Sequence, residues 1–506
     1  MKRLLVAFAA VLLLVVQAQT PLFTVGFQGA ATTLDPILRL ETTTINWQQH
    51  IFDSVTRTDS NGKIQPGIAQ LWQPSGTNKW TFLLRRNVKF HDGSDLTATD
   101  VMFSINRAQT DPKSTFKGSV SSIKSMKTLG DYTLEVVTER PDPLLPNKFV
   151  GILVVSRKQV QSNPAWAEKP IGSGAYRFVS WLSGDHLLLE SNPNYWGGAP
   201  VIKRLKLQNI PNPAARVAAL ISNQVQLIEK IAPQDVARLS ANPEFKVLQA
   251  ASNRVLYLVM DVRSATSSPA VSGTADNPFA KQKVREAVAR AINKDLLVKS
   301  IMGGFATPAT QFVAPNVPGF DRGIKNPAYN LERAKALLTE AGYPNGFSLR
   351  LDATNDRYQN DSLIAQAVGG MLSSIGIKTK VNAISRTVLF PQLDRGEFSA
   401  YISGWASSDV VSTLVSQTMC KNTQEGYGAL NRAGYCNREV DKLILAAASN
   451  FNPLERHKLV SRAMRQILQT DIFWVPLHYE NVIHAISSGY TYKARGDEYI
   501  NTWEIR

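Results

Sequence analysis

Hydrophobic and polar positions along the chain follow two periods, and changes of period divide the sequence into short predicted elements. A period of two predicts strands, and apolar residues recurring every three to four positions predict helices with one buried face. Strands are predicted at 23–27 (as an edge strand), 80–85, 132–138, 187–190, 204–210, 255–261 and 378–382. Helices are predicted at 47–55, from residue 99 or 100 to 107, and at 213–221, 331–342 (capped by Asn330), 362–372, 437–448 and 454–468.

Predicted strands and helices are interleaved from end to end, and the later half is richer in helix. This order predicts an α/β or α+β fold. The chain has 506 residues, too many for one ordinary hydrophobic core, so roughly two to four domains are expected. Because 44% of the residues are hydrophobic and 19% are charged, the composition is globular and excludes a disordered or fibrous protein.

The N-terminal residues have the pattern of a secretory signal peptide. Two basic residues precede an apolar run at 4–16, and Val16-Gln17-Ala18 supplies the small residues of a cleavage site. Cleavage near Ala18 would remove residues 1–18. The alternative is a membrane anchor, but this run is short for a bilayer, which needs about 20 apolar residues. No Cys follows the run, so no lipid anchor is predicted, and the mature protein is expected to be soluble.

The chain contains two cysteines, Cys420 and Cys436. In an exported protein they could form a disulfide, which would close a small loop and stabilise the fold by about 3 kcal/mol. Two free thiols are the alternative. A zinc site would need two more ligands, and no His lies between or beside the cysteines. No metal site is therefore predicted.

The chain is basic, with 56 Lys and Arg against 40 Asp and Glu and a formal net charge of +16. Such a surface can attract nucleic acid, an anionic membrane or an acidic ligand. The basic residues are dispersed, however, with no run longer than two. A solvated basic surface is the favoured interpretation, and no nucleic-acid partner is predicted.

Signatures of catalysis are almost absent. The segments 114–117 and 121–124 match S-x-x-K, the serine-acylation pattern of penicillin-recognising enzymes, but this pattern recurs by chance and no K-T-G follows. His478 and His484 lie in an apolar, strand-like stretch, where structural histidines are commoner than metal ligands. The sequence predicts no catalytic residue and no cofactor, and an exported hydrolase remains a remote alternative.

Two segments have the composition of a ligand pocket. The first, 403–409, ends a predicted strand and enters a polar loop. In it Gly404 allows close backbone approach, Trp405 offers a flat apolar wall, and Asp409 can hold a cation. In the second segment Arg357 lies just past another predicted strand, and an Arg there can grip a carboxylate with two hydrogen bonds. The alternatives are a core Trp beside an ordinary turn and a surface Arg.

A series of short motifs extends over essentially the whole mature chain. The most specific is Val88-Lys89-Phe90-His91-Asp92-Gly93 together with 96–101 (LTATDV). The others are 33–36 (TLDP), 51–55 (IFDSV), 67–72 (GIAQLW), 80–85 (WTFLLR), 170–176 (PIGSGAY), 192–196 (NPNYW) and 284–287 (VREA). In this order they resemble the peptide/nickel group of extracellular solute-binding proteins, which includes the dipeptide-, oligopeptide- and glutathione-binding receptors of ABC importers.

The resemblance implies a bilobal periplasmic binding protein fold of class α/β, with two lobes joined by a hinge and a third, inserted α+β domain. Lobe I would comprise 19–56, 177–260 and 483–506, the inserted domain 57–176, and lobe II 261–482. Such receptors close their lobes over the ligand by hinge motion. They are periplasmic, are expected to be monomers, deliver the ligand to an ABC permease in the inner membrane, and use no cofactor and catalyse no reaction.

Individual residues also carry over. In dipeptide-binding relatives an Arg that matches Arg357 grips the ligand carboxylate. The loop that matches Gly404-Trp405 carries an Asp three residues past the Trp, and this Asp pairs with the ligand's α-amino group. Here that position is Ser408 and the acid follows at Asp409. Either Asp409 takes over the amine, or the ligand has no free amine.

The expected function is that of a receptor for short peptides or peptide-like solutes, with dipeptides and glutathione as candidates. Within the same family the alternative is a non-peptide ligand, namely a sugar, an opine, haem or a nickel chelate. Cys420 and Cys436 match a disulfide of the dipeptide-binding relatives, so the resemblance implies that they are bridged. The residues predicted to line the pocket are Ser403, Gly404, Trp405, Ser408, Asp409 and Arg357.

Overall fold

The structure is a computed structural model that describes residues 21–506. The predicted signal peptide therefore lies outside the described residues. The strands are β1 Leu22–Phe27, β2 Thr56–Thr58, β3 Ile64–Pro66, β4 Ala69–Gly76, β5 Lys79–Leu84, β6 Ile123–Thr128, β7 Thr133–Thr138, β8 Tyr176–Leu182, β9 His186–Ser191, β10 Arg204–Asn209, β11 Leu227–Ile228, β12 Phe245–Met260, β13 Val271–Ser272, β14 Ala306–Pro308, β15 Phe347–Thr354, β16 Ile377–Ile384, β17 Ala400–Ala406 and β18 Trp474–Ser487.

Helices alternate with these strands along the chain. The α-helices are α1 Thr42–Gln48, α2 Ala98–Thr110, α3 Lys117–Val120, α4 Leu145–Lys148, α5 Arg157–Ser162, α6 Pro213–Ile221, α7 Pro233–Ser240, α8 Gln282–Ala291, α9 Lys294–Leu296, α10 Leu331–Glu340, α11 Asp361–Ser373, α12 Arg386–Asp394, α13 Val410–Gln417, α14 Arg438–Ala448 and α15 Pro453–Arg465. Short 3₁₀ segments cover Phe149–Gly151, Trp166–Glu168, Pro278–Ala280 and Thr502–Glu504, and π turns cover Leu297–Ile301 and Gln466–Asp471.

One large mixed sheet organises most of the described chain. Its order is β13-β15-β17-β12-β18-β11-β1-β10-β9-β8, with β14 paired to β18 and β16 paired to β15. The long antiparallel strands β12 and β18 pair with each other in the middle of this order and join its two halves. The register of β12 shifts between Ala251 and Val255 and again between Leu256 and Tyr257. Because such irregularities bend a strand, the two long strands change direction midway along the sheet.

The strand predicted at the sheet edge is instead an inner strand. β1 pairs in parallel with β10 on one side and with β11 on the other. Its alternating pattern suggested one solvated face, but Thr24 and Gly26 are small enough to be covered. A Cβ on Gly26 would lie 3.2 Å from the side chain of Ile228, so this second face is packed as well.

The predicted bounds of two helices also differ from the structure. The helix predicted at 47–55 is α1, which ends at Gln48 because the backbone beyond it pairs elsewhere: the carbonyl oxygens of His50 and Ile51 accept from the amides of Tyr176 and Gly174. α2 is capped by Thr97 rather than by residue 99 or 100, and the Thr97 amide donates to Asp100 Oδ2 at 3.1 Å. The predicted cap of α10 is confirmed, because Asn330 Oδ1 accepts from the amide of Arg333 at 2.9 Å.

A separate four-stranded antiparallel sheet, in the order β4-β5-β7-β6, lies between Ala69 and Thr138. Alternate residues of β5 and β7, such as Phe82 and Val136, pack with α2 residues such as Val101 in a core of their own. Among residues 21–506, no helix is both long and apolar enough to cross a membrane.

Candidate functional site

A cavity of about 350 Å³ lies where the loops after β15 and β17 leave the large sheet. We call it the central cavity. β15 and β17 pair in parallel, so their carboxyl ends lie at the same edge of the sheet. For this reason two segments almost fifty residues apart in sequence meet at one site. All of the pocket residues predicted from the sequence line this cavity: Ser403, Gly404, Trp405, Ser408, Asp409 and Arg357.

Arg357 brings a buried positive charge to the central cavity. The residue is only 8% exposed, and its guanidinium carbon lies 5.3 Å from the ring centroid of Tyr358. Within residues 21–506 the Arg357 guanidinium has no hydrogen-bond or ion-pair partner. Burial and the neighbouring Arg254 lower the pKa of Arg357, whereas Tyr358 and Glu498 oppose the shift. Since a buried charge is costly unless it is paired and hydrogen-bonded, an anion hydrogen-bonded to Arg357 in the cavity would be stabilised here.

The neighbouring Arg254, in contrast, is fully paired. Its Nε and Nη2 donate to the two carboxylate oxygens of Glu498, each at 2.7 Å, and Glu480 lies 3.5 Å from Nε. Burial opposes ionisation of Glu498, but Arg254 outweighs this and lowers the pKa of Glu498 to about 2. Both carboxylate oxygens of Glu498 thus accept hydrogen bonds from Arg254.

Tyr358 is a functional residue that the sequence did not single out. Its hydroxyl donates to the carbonyl oxygen of Gly404 at 3.1 Å and lies 3.3 Å from Ser403 Oγ. A Cβ at position 404 would come within 2.8 Å of the Tyr358 ring, so this packing requires Gly404. Tyr358 therefore ties the Arg357 loop to the strand that carries Trp405, which is half-buried in the cavity wall.

Asp409 is both a cavity residue and a helix cap. Its Oδ1 accepts from the Ser412 amide at 2.7 Å and so caps α13. Burial raises the pKa of Asp409, the contacts with Ser412 and the charge of Lys148 oppose the shift, and Asp142 reinforces it. One oxygen is therefore used within the protein. Ser408, which occupies the position of the acid in the dipeptide-binding relatives, is half-buried at the cavity surface.

Another part of the cavity wall comes from segments of the chain where sequence reasoning placed no site. Glu41, which immediately precedes α1, is half-buried and lines the cavity. In the described part of the chain its carboxylate has no hydrogen-bond or ion-pair partner. Lys148 lines the same wall and donates to Asp142 Oδ2 at 2.6 Å. No local pattern distinguishes Glu41 or Lys148 from other charged residues, because only the tertiary fold brings them here.

The predicted disulfide is confirmed, since Cys420 and Cys436 are bonded. His478 and His484 lie on β18 and are buried, and their ring nitrogens have no hydrogen-bond partner within residues 21–506. In the same residues no group of three or more His, Cys, Asp or Glu side chains could hold a metal ion.

Comparisons with known proteins extend over nearly the whole chain. The profile "Bacterial extracellular solute-binding proteins, family 5 Middle" matches residues 63–426. The glutathione-binding protein GsiB of Shigella boydii serotype 4 (strain Sb227) is 26% identical over 477 residues, which cover 91% of this chain and 89% of that protein. Di/tripeptide-binding protein 2 of Pseudomonas aeruginosa (strain UCBPP-PA14) is 27% identical over 512 residues, covering 94% and 92%.

A solved structure gives the corresponding likeness in three dimensions. The ABC transporter-associated periplasmic binding protein DppA from Helicobacter pylori, in complex with peptide STSA, matches with a TM-score of 0.84 at 24% identity. The match covers 96% of this chain and 98% of that one. At this identity the similarity is evidence for the fold alone, and it confirms the predicted fold class.

Proposed function

Since the chain belongs to the bacterial extracellular solute-binding proteins of family 5, we propose that it captures short peptides or peptide-like solutes and delivers them to an ABC permease of the inner membrane. Membership confirms the predicted family and makes the chain a receptor rather than an enzyme. The observation that carries the peptide assignment is Arg357, a buried cation that lines the central cavity and has no hydrogen-bonded or ion-paired carboxylate among residues 21–506.

The carboxylate of the ligand is assigned to Arg357. A guanidinium can bind a carboxylate through two parallel hydrogen bonds, and such charge-assisted bonds are the stronger ones. Arg254 cannot take this role, because both of its carboxylate-facing nitrogens are used by Glu498. Every linear peptide with a free C-terminus supplies the required group, and so does glutathione.

The α-amino group is assigned to the acids of the cavity. Asp409 caps α13 through Oδ1, and its other oxygen is assigned to the ligand amine. Glu41, which lines the same cavity, adds a second carboxylate. Together they would compensate for Ser408, which replaces the acid of the dipeptide-binding relatives. Ser403, Ser408 and the Trp405 ring complete the wall as polar and apolar contacts.

The three-part arrangement expected from the sequence is kept as a proposal. Lobe I would comprise 19–56, 177–260 and 483–506, lobe II 261–482, and the inserted domain 57–176. The separate sheet and core of β4–β7 support the inserted domain. The long strands β12 and β18, which pair with each other in the middle of the large sheet and carry register shifts, support a hinge there. Closure of the lobes around this hinge would enclose the ligand.

Export and partners belong to the same proposal. Residues 1–18 would act as a signal peptide, and the mature chain would be a periplasmic monomer that docks on an inner-membrane permease. N-terminal sequencing of the protein from the periplasmic fraction tests this directly. A start near Gln19 is expected, and an uncleaved N-terminus in the membrane fraction would contradict it.

A thermal-shift panel on the mature chain tests the ligand class. It contains dipeptides, tripeptides, glutathione, an opine, nickel–histidine, haem and several sugars. A ligand at 100 times its Kd stabilises the folded state by about 2.7 kcal/mol, which raises Tm by a few degrees. Hits among the peptides are expected. A response confined to a sugar, opine, haem or nickel chelate would keep the receptor but overturn the peptide assignment.

A further inference from the structure

A second cavity of about 260 Å³ adjoins the central cavity. We call it the side chamber. One wall comes from segments 115–122 and 140–148, and the other from α13, α14 and the disulfide-closed segment 420–436. The residues that line both cavities are Leu40, Ser119, Lys148, Trp405, Ser412 and Leu430. A ligand held in the central cavity can therefore extend past Trp405 into the side chamber.

The walls of the side chamber are largely apolar. Leu144 and Val411 belong to one buried hydrophobic core, and Val415, Leu445 and Ala448 pack against it as partly buried residues. Leu144 comes from the segment just before α4, whereas the other four belong to α13 and α14. The chamber therefore exposes apolar surface to whatever enters it, and burying that surface is favourable.

Several polar groups at the chamber wall are already used within the protein, although the Tyr427 hydroxyl has no hydrogen-bond partner among residues 21–506. The Ser122 hydroxyl and the Lys148 ammonium both donate to Asp142 Oδ2 at 2.6 Å. The Ser416 hydroxyl donates to the carbonyl oxygen of Ser412 at 3.0 Å. A polar ligand group would have to compete with these bonds, because an unmatched polar group pays a desolvation cost on burial. An apolar group pays no such cost.

The two walls of the side chamber contact each other through Arg140. The Arg140 guanidinium lies 5.2 Å from the ring centroid of Tyr427 and 3.4 Å from Glu425 Oε2. Both members of the Arg140–Glu425 pair are exposed, so the pair itself is weak. The two walls of the side chamber are thus joined at Arg140, and the shared lining residues connect the chamber to the central cavity.

We propose that the side chamber receives a large apolar side chain, aromatic or branched aliphatic, of the ligand whose carboxylate Arg357 holds. The inference rests on the proposed function and narrows its substrate class to short peptides that carry such a side chain. A dry apolar cavity of about 150 Å³ accommodates benzene, so this chamber is large enough for a phenyl or indole group. Glutathione has no side chain of this kind and binds more weakly than such peptides.

Isothermal titration calorimetry of the mature chain with Ala-Ala, Ala-Phe and Phe-Ala tests the inference. Burial of one phenyl group is worth about 1.5–3 kcal/mol, so one of the two Phe peptides should bind about 10- to 100-fold more tightly than Ala-Ala. In Ala448→Phe the introduced ring occupies the chamber, and this preference should fall to less than about threefold. Ala446→Phe is the matched control, because Ala446 lies on the exposed face of the same helix.

The outcomes separate this inference from the proposed function. If none of the three peptides binds the wild-type chain, and no tripeptide or glutathione binds it either, the peptide assignment itself is wrong. If all three bind with equal affinity, the peptide assignment stands and the side chamber is not a subsite. Should Ala448→Phe fail to fold, Val415→Ala enlarges the chamber instead. It should then favour a Trp over a Phe side chain relative to wild type, and an unchanged Trp-to-Phe ratio would overturn the inference.

Discussion

Lys230 Nζ donates a 3.2 Å hydrogen bond to the carbonyl oxygen of Arg357. Lys230 follows β11 and Arg357 follows β15, so the bond joins segments from opposite sides of the central strands β12 and β18. Next to it, Gln359 Nε2 donates to the carbonyl oxygen of Ile231. Burial and the positive charge of Arg357 lower the pKa of Lys230, while Glu498 and Glu229 oppose the shift. The loop that presents the ligand-facing guanidinium is thus anchored from across the sheet.

We expect Lys230→Met to weaken binding of a carboxylate ligand about tenfold, because a hydrogen bond from a charged donor is worth about 1.5–3 kcal/mol and its loss frees the Arg357 loop. Calorimetry with the best peptide of the panel measures the change. Lys246→Met is the control, since Lys246 also donates to a carbonyl, that of Tyr490, but is exposed. Unchanged affinity in Lys230→Met would show that the loop does not depend on this anchor.

Asp409→Asn and Glu41→Gln test recognition of the amine. Asn retains an oxygen that can cap α13, so the first change removes charge and leaves the cap in place. Each variant should bind a peptide with a free amine about 5- to 10-fold more weakly, whereas its affinity for the N-acetylated peptide should be nearly unchanged, since a charge-assisted bond is stronger than a neutral one. If the ratio of the two affinities stays at its wild-type value in both variants, the ligand amine is bound elsewhere.

How far the sequence could predict this site depends on which residues carry a local signal. Arg357 and the segment 403–409 each follow a predicted strand, and the parallel pairing of those strands explains why they meet. Tyr358 was missed because its role depends on the hydrogen bond from its hydroxyl to the carbonyl oxygen of Gly404, and only the fold brings these two residues together. Glu41 was missed for the same reason, since an unpartnered carboxylate looks like any other acid in a sequence.

Some elements of the fold could likewise be predicted from the sequence, and others could not. Elements with strong periodicity or a clear cap, such as α10 after Asn330, could be placed from the sequence alone. The position of β1 inside the sheet could not, because it depends on neighbours that come much later in the chain, β10 and β11. α1 ended earlier than predicted for a comparable reason, since the backbone at His50 and Ile51 pairs with 174–176.

Acid should destabilise the protein through its buried histidines. Burial is the largest cause that lowers the pKa of His50, His91, His478 and His484 to about 4, from 6.5. Between these values the unfolded chain binds protons that the folded chain does not. Stability is therefore full above pH 6.5 and falls as the pH drops toward 4, by up to about 1.4 kcal/mol per pH unit for each histidine.

Chemical unfolding at pH 7, 6 and 5 measures this dependence. His478→Leu should reduce the slope by about one proton, because His478 has no hydrogen-bond partner in the described chain. His457→Leu, a change on the half-buried surface of α15, serves as the comparison. A slope in His478→Leu equal to that of the wild type would mean that this histidine is already protonated in the folded state.

Removing the disulfide should cost stability. The Cys420–Cys436 bond closes a short loop, and a loop of this size corresponds to about 3 kcal/mol. The double variant Cys420→Ser/Cys436→Ser should therefore melt several degrees below wild type, and dithiothreitol should lower the Tm of wild type but not of the variant. Equal melting temperatures for the oxidised wild type and the variant would contradict this expectation.

We propose above that Arg357 binds the ligand carboxylate. This role is tested by removing the Arg357 side chain and the ligand carboxylate, each alone and both together. Calorimetry would measure the best peptide and its C-terminal amide against wild type and Arg357→Ala, with Arg238→Ala, an exposed arginine, as control. We predict that the wild type prefers the free acid by about 1.5–3 kcal/mol or more and that Arg357→Ala loses most of this preference. If Arg357→Ala folds and still prefers the acid as strongly as wild type does, the carboxylate is held elsewhere and the assignment is wrong.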